Sequence, residues 1–167
     1  MSQLRWDIFI AHAGSDRKRA EELYDLLPDD LEVFLDTKVL LPGDDWDIAL
    51  QDALYSTRII APLIPEVFEP SYYLREEIAV AIALAREEPE VHRVTPIYLD
   101  SNQRVPYGLR LKHAIDAKSL GLPEVATQLT QLARLLASKE LKPASEPSDA
   151  ERAQLRIEVS ASGAHAP

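Results

Sequence analysis

Cysteine is absent from this chain. Its absence removes disulfides, thiolate nucleophiles and cysteine-ligated metals together, and it fits a reducing compartment. Basic runs are missing too, since 18 Lys and Arg stand against 28 Asp and Glu for a formal charge of -10. An excess of that size repels a phosphate backbone over much of the surface, so nucleic acid is not an expected partner. No apolar run approaches the roughly 18 residues that a membrane span needs, and Met1 to Asp7 carries no apolar signal region. The expectation is a cytoplasmic protein with no membrane partner. Two nucleotide signatures are also lacking. A dinucleotide dehydrogenase needs GxGxxG after its first strand and a P-loop enzyme needs Gly-Lys-Ser/Thr, and neither string occurs.

What is present is an ordinary globular balance, 46% apolar and 28% charged residues over 167 positions, enough for one core but short for two. Trp6 to Ala11 (WDIFIA) is a β-branched apolar run closed by Gly14 and Ser15, which predicts a buried strand. The period then changes. Ser15 or Asp16 caps a helix carrying Ala20, Leu23, Tyr24 and Leu27 at helical spacing until Pro28 stops it. A second strand over Leu31 to Leu35 delivers Asp36 at its carboxyl end, and Pro42-Gly43 marks the turn that follows. Asp44 or Asp45 caps the next helix, with Trp46, Ala49, Leu50, Ala53 and Leu54 as its apolar stripe.

Strand three is expected over Arg58 to Ile64, a helix over Ser71 to Arg86, and strand four over Val94 to Leu99. Pro62 and Pro96 fall inside these strands, and irregular hydrogen bonding is expected at both, because proline cannot donate to a ladder. A fifth strand near His113 to Ala117 and a helix from about Pro123 to Ala137 complete the alternation. Strands separated by helices pair in parallel through right-handed crossovers. The predicted fold is therefore α/β, a flavodoxin-like doubly wound five-stranded parallel sheet in the order 2-1-3-4-5. Residues 1–138 form the domain. Residues 139–167, rich in Lys, Pro, Ser, Glu and Ala, are expected to be a flexible linker or tail, with Leu155 to Val159 as an isolated strand or the start of a further domain.

In such a sheet ligands gather outside the carboxyl ends of the strands, where the strand order reverses. That crevice would lie between strands one and three, lined by Ala11, His12, Ala13 and Gly14, with Asp36 and the Pro42-Gly43 loop alongside. At about 100° per residue, Leu74, Ile78, Ala81, Ile82 and Ala85 share one apolar arc of the helix from Ser71. Glu77 falls on its shoulder, whereas Glu76 points to water. A carboxylate at the edge of an apolar face is costly unless paired or used. Glu77 is therefore either a salt-bridged rim residue or a functional acid.

Three stretches resemble, in order and spacing, those of Toll/interleukin-1 receptor (TIR) domains of bacterial type. WDIFIAH looks like the family's opening strand, LLPGDDW like its loop after strand two, and SYYLREEI like its Ser-x-Trp-Cys-x-x-Glu-Leu pattern. In the last, Ser71 matches the Ser, Tyr73 the Trp, Leu74 the Cys and Glu77 the Glu. The resemblance covers about residues 4 to 138. The Trp-Cys pair is Tyr73-Leu74 here, and the Phe-Trp that marks animal receptor members near the last helix is absent.

The resemblance implies an NAD glycohydrolase, cleaving the nicotinamide-ribosyl bond with Glu77 as catalytic carboxylate, NAD as substrate, and no cofactor or metal. It also implies self-association with other TIR domains and a signalling or effector role, with bacterial antiviral defence as one setting. The substrate-binding candidates are His12, Ala13, Gly14, Asp36, Gly43, Trp46 and Tyr73. Most carry a second reading: His12 as a loop residue, Gly14 and Gly43 as turn formers, Trp46 as a core anchor at a helix start, and Asp36 as a cap. Arg17 and Lys18 are either pyrophosphate contacts or a solvated helix start. The rival function is a noncatalytic adaptor that binds other TIR domains through the Pro42-Gly43 loop.

Overall fold

The computed structural model describes residues 4–65, 72–100, 107–109 and 112–140. The chain divides into two compact units, Met1–Arg134 and Leu135–Pro167. The sheet and the candidate site belong to the first. Of the second, the described residues 135–140 are the last turns of a helix, and the tail from residue 141, with its candidate strand at Leu155 to Val159, lies outside the described residues.

The strands are β1 (Trp6–Ala11), β2 (Val33–Phe34), β3 (Thr57–Ile64), β4 (Arg93–Val94), β5 (Ile97–Tyr98) and β6 (Ile115–Asp116). Between and around them lie α1 (Arg17–Leu26), α2 (Asp36–Val39), α3 (Trp46–Tyr55), α4 (Tyr72–Glu87), α5 (Ala117–Leu120) and α6 (Leu122–Glu140). All pairings are parallel, in the order β2-β1-β3-β5-β6, with β4 also on β3. This is the expected 2-1-3-4-5 sheet with its fourth strand in two pieces.

The split has a local cause. Ile60 pairs with Val94 and Leu63 with Ile97, so an unchanged register sets Pro62 opposite Pro96. The Thr95 N–H donates to the Ile60 oxygen at 2.9 Å, so the peptide groups of Ile60, and two residues on those of Pro62, point to the β4/β5 side. The N–H that Pro62 lacks would fall in the gap between the two short ladders. The expected irregularity is therefore in the partner. β3 itself runs unbroken through Pro62, and it is the central strand, not an edge, that tolerates the proline.

Strand β3 is buried along its whole length, as a strand covered on both faces must be. On one face Phe9, Phe34, Ile60 and Ile64 pack with Leu54 of α3 and with Leu74, Ile78 and Ala81 of α4. Phe9 stacks on Phe34 at 4.8 Å between ring centroids, and Trp6 meets Phe34 edge-on at 5.3 Å. Ile8 and Ile10, which alternate to the other face, are equally buried. Asp7, at the amino end of β1, pairs with Arg58 at 2.7 Å and accepts from the Glu32 N–H at 3.0 Å, a structural role far from the crevice.

Several local expectations need correction. The stretch after β2 contains the one-turn helix α2, too short for its periodicity to show in sequence. Neither Ser15 nor Asp16 caps α1 through its side chain; Gly14–Asp16 forms a 3-10 turn, and the buried Asp16 carboxylate pairs instead with Arg19 at 2.6 Å. Gly14 has no positive φ, and a Cβ there would meet nothing within 4 Å, so neither conformation nor space demands glycine. Gly43 does fit its turn reading, with φ of 97°. Around it the Leu41 N–H donates to an Asp44 carboxylate oxygen at 2.8 Å and the Asp44 N–H to the Leu41 oxygen at 3.1 Å. Asp45 caps α3, accepting from Ile48 N–H at 3.3 Å.

Candidate functional site

Three neighbouring strand ends deliver three titratable side chains to one place. His12 follows β1, Asp36 follows β2 and opens α2, and Glu77 stands in the second turn of α4, the helix after β3. Because the sheet order places β2, β1 and β3 side by side, residues far apart in the chain meet at the carboxyl edge.

His12 is held at both ring nitrogens. Its Nε2 lies 2.9 Å from the Asp36 carboxylate and its Nδ1 lies 2.9 Å from the Ala13 carbonyl oxygen. Both partners only accept, so two good bonds require both nitrogens to carry protons, which is the imidazolium form. Burial opposes that charge. The Asp36 and Ala13 hydrogen bonds outweigh it, with help from the charges of Asp36 and Glu77, and the His12 pKa rises above 6.5. Burial likewise pushes the Asp36 pKa up, but the bond and charge of His12, the Thr37 N–H at 2.7 Å and the charge of Arg17 win, and it falls below 3.8. The pair is a half-buried ion pair anchored to backbone on both sides. Asp36 is thus both a helix-start residue and part of the site.

Glu77 is partly buried, while Glu76 is exposed. Burial, and then the Asp36 carboxylate, push the Glu77 pKa from 4.5 up to about 8, with His12 pulling it back only in part. A carboxyl group moved that far in a crevice makes Glu77 a candidate functional acid, with burial as the physical cause. Glu77 also lines a cavity of about 640 Å³ between α3 and α4, with Asp47, Leu50, Leu54 and Val80 among its walls and Glu76 at the rim. It is the residue that joins this cavity to the His12–Asp36 pair.

The remaining candidates divide. Ala13 offers its backbone carbonyl to His12, and Gly43 shapes the loop after α2. Trp46 is 46% exposed in the first turn of α3, so it is not a core anchor; Ala53 and Leu54 hold that helix to the sheet. Arg17 binds Glu21 at 3.0 Å on the solvent side of α1. Tyr73 is the second residue of α4, but its side chain, like Ser71, lies outside the described residues. What sequence reasoning missed is the direct bond between His12 and Asp36. Neither residue is unusual alone; only the adjacency of β1 and β2 could have joined them. Among the described residues no group of His, Asp and Glu has the arrangement of a metal site, and no helix is long and apolar enough to cross a membrane.

Comparisons with known proteins agree with this architecture. The TIR domain of the Toll-related receptor TRR-2 from Hydra magnipapillata superposes with a TM-score of 0.60 at 17% identity, over 78% of this chain and 99% of that one. A metazoan TIR-STING receptor from C. gigas, solved with 2',3'-cGAMP, gives a TM-score of 0.64 at 16% identity over 78% of this chain and 40% of the receptor's. The TIR domains from the activated Roq1 resistosome, which directly recognizes the pathogen effector XopQ, give 0.52 at 18% identity, over 78% and 84%. At such identities the likeness concerns fold alone. Among curated proteins none matches the sequence. A family profile described as TIR domain, however, matches residues 8–136, from the first buried residue of β1 into α6 and across every element of the site, and the chain belongs to the TIR domain family.

Proposed function

We propose that this domain cleaves NAD at the bond between nicotinamide and ribose, with Glu77 as the carboxylate at the reacting centre. The observation that carries the reading is the position of Glu77, partly buried on the wall of a cavity and beside the His12–Asp36 ion pair. When the bond breaks, its electron pair leaves with the nicotinamide nitrogen, which becomes neutral, and positive charge develops on the ribose. An aimed carboxylate stabilises that charge in a partly dry site far better than water does. Water then attacks the ribose carbon and loses a proton, or a second nucleophile within the substrate closes a ring; both outcomes share the first step.

The raised pKa of Glu77 has a kinetic consequence. In the empty site the carboxyl is largely protonated at neutral pH, because its pKa is about 8. The nicotinamide ring of NAD is a cation, and its arrival favours the carboxylate. Substrate binding and Glu77 ionisation are therefore coupled. The kcat/KM, which reports the free enzyme, should rise by roughly tenfold per pH unit below the Glu77 pKa and level off above it. The midpoint for kcat should lie lower, since the bound cation is then present. Equal midpoints, or a profile flat from pH 6 to 9, would separate Glu77 ionisation from the reaction.

A second surface bears on the same activity. Leu41, Trp46 and Ile48 are 66%, 46% and 58% exposed within eight residues of chain, beside the turn at Gly43. Exposed apolar side chains gathered in this way suit association with another protein surface. We take the partner to be a second TIR domain, whether the assembly supports catalysis or signals without it. Concentrated protein incubated with NAD should release nicotinamide, and specific activity should climb with protein concentration. No release at any concentration, with assembly intact, would leave the adaptor reading. Full activity in a dilute monomer would remove assembly from the mechanism.

A further inference from the structure

The parallel pairing of β5 with β6 has a second effect, at the opposite edge of the sheet. Two basic doublets stand at the starts of the fourth and last strands: His92-Arg93 opens β4, with Arg93 its first residue, and Lys112-His113 leads into β6. Since Ile97 pairs with Ile115 in parallel register, the segments before them run side by side at the amino edge. A cavity of about 500 Å³ opens there between the strand ends and helices α4 and α6. All four basic residues line it, and among the described residues no Asp or Glu does. In a chain with 28 acidic side chains this is a local reversal of sign.

Neither Arg93 nor Lys112 is in an ion pair among the described residues. Arg93 is exposed, and Lys112 is partly buried. His92 differs from both. It is 4% exposed, lines the cavity, and its Nδ1 donates to the Thr57 carbonyl at 2.7 Å, which fixes the ring. Nothing in the proposed NAD chemistry uses these groups. They lie at the amino ends of the strands, whereas His12, Asp36 and Glu77 serve the carboxyl ends.

We propose that this cavity binds a small phosphomonoester, with a mononucleotide as the fitting size. Arg93 and Lys112 supply two fixed cations, which matches a phosphate carrying close to two negative charges at neutral pH. Thr95 and Gln128 add neutral hydrogen-bonding groups, and Ala85, Pro89, Ile115 and Leu132 offer an apolar wall for the ligand body. Charged groups and apolar wall together, in a space of this volume, are the makings of a small-molecule site. The inference is independent of the NAD reading and survives its failure.

Titration of the full chain with AMP, adenosine and inorganic phosphate, followed by backbone amide NMR, tests it. AMP should shift Thr95, Ile115 and Gln128, with adenosine and phosphate each weaker by on the order of tenfold or more, since each lacks one half of the recognition. The Arg93→Gln, Lys112→Gln double variant should weaken AMP by roughly a hundredfold, the scale of two lost charge-assisted contacts. Glu77→Gln should leave the shifts unchanged. Arg93→Gln alone, at an exposed side chain, carries the test if the double variant does not fold, with a loss of about tenfold. No shift at these residues up to ~10 mM AMP, where even millimolar affinity would register, overturns the proposal. So does equal binding of adenosine, undiminished binding to the charge variants, or shifts confined to Ala79 and Val80 around the Glu77 cavity.

Discussion

Glu77→Gln is expected to lower NAD cleavage by a factor on the order of a hundred or more, the scale of losing one aimed electrostatic group, while the domain stays folded. Gln keeps the size and helix propensity of Glu and removes only the ability to become an anion. Since α4 is held to the sheet by Leu74, Ile78 and Ala81, all buried, the helix does not depend on the carboxylate. Glu76→Gln is the comparison. That side chain is exposed at the rim of the same cavity, where a single substitution shifts stability by less than about half a kcal/mol. It should change KM by at most a few-fold and leave kcat near the parent value. The assay is nicotinamide release at saturating NAD, with circular dichroism to confirm folding. Two variants as active as the parent would make Glu77 structural and leave the adaptor function; a defect in Glu76→Gln alone would show that the wrong face of α4 had been assigned to chemistry.

The contrast between these two glutamates also marks how far sequence carries. Helical periodicity separates them without any structure, because Leu74, Ile78, Ala81 and Ala85 fix which side of α4 is buried, and Glu77 follows from that. The sheet order was legible for a similar reason, since apolar strands alternating with amphipathic helices leave few unknotted parallel arrangements. What was not legible is whatever depends on a partner chosen by the fold. Pro62 reads as an obstacle in a central strand until Pro96 is set opposite it. Trp46 reads as core until the neighbouring turns show that Ala53 and Leu54 already fill the contact. The Asp36 carboxylate can look like a simple cap, and His12 like a loop residue; their bond across two adjacent strand ends emerges only when the register is known. A four-residue helix such as α2 has no period to detect.

A second large effect is expected in stability rather than in rate, and it has the opposite sign to the usual loss on mutation. The folded-state pKa of Glu77 is about 8 against an ordinary 4.5, so between those values the folded protein holds a proton that the unfolded chain has released. Stability must therefore fall as pH rises through that window. Above it, the parent bears the full cost of an anion buried beside the Asp36 carboxylate. Gln at this position has no such cost. Urea unfolding should show parent and Glu77→Gln nearly equal at pH 4.5 and below, with the variant gaining steadily toward pH 9. There it should be more stable by roughly 2–5 kcal/mol, since each tenfold change in proton affinity between the folded and unfolded chain is worth about 1.4 kcal/mol. The His12–Asp36 pair responds in its own directions. The raised pKa of His12 means its contribution is lost as pH rises through the folded value, and the lowered pKa of Asp36 means its contribution is lost as pH falls. Both remain in the variant, so the difference between the two proteins reports Glu77 together with its electrostatic coupling to the pair. If the two curves stay parallel from pH 4.5 to 9, Glu77 ionises as freely in the folded chain as in the unfolded one, and the coupling of NAD binding to its ionisation fails with it.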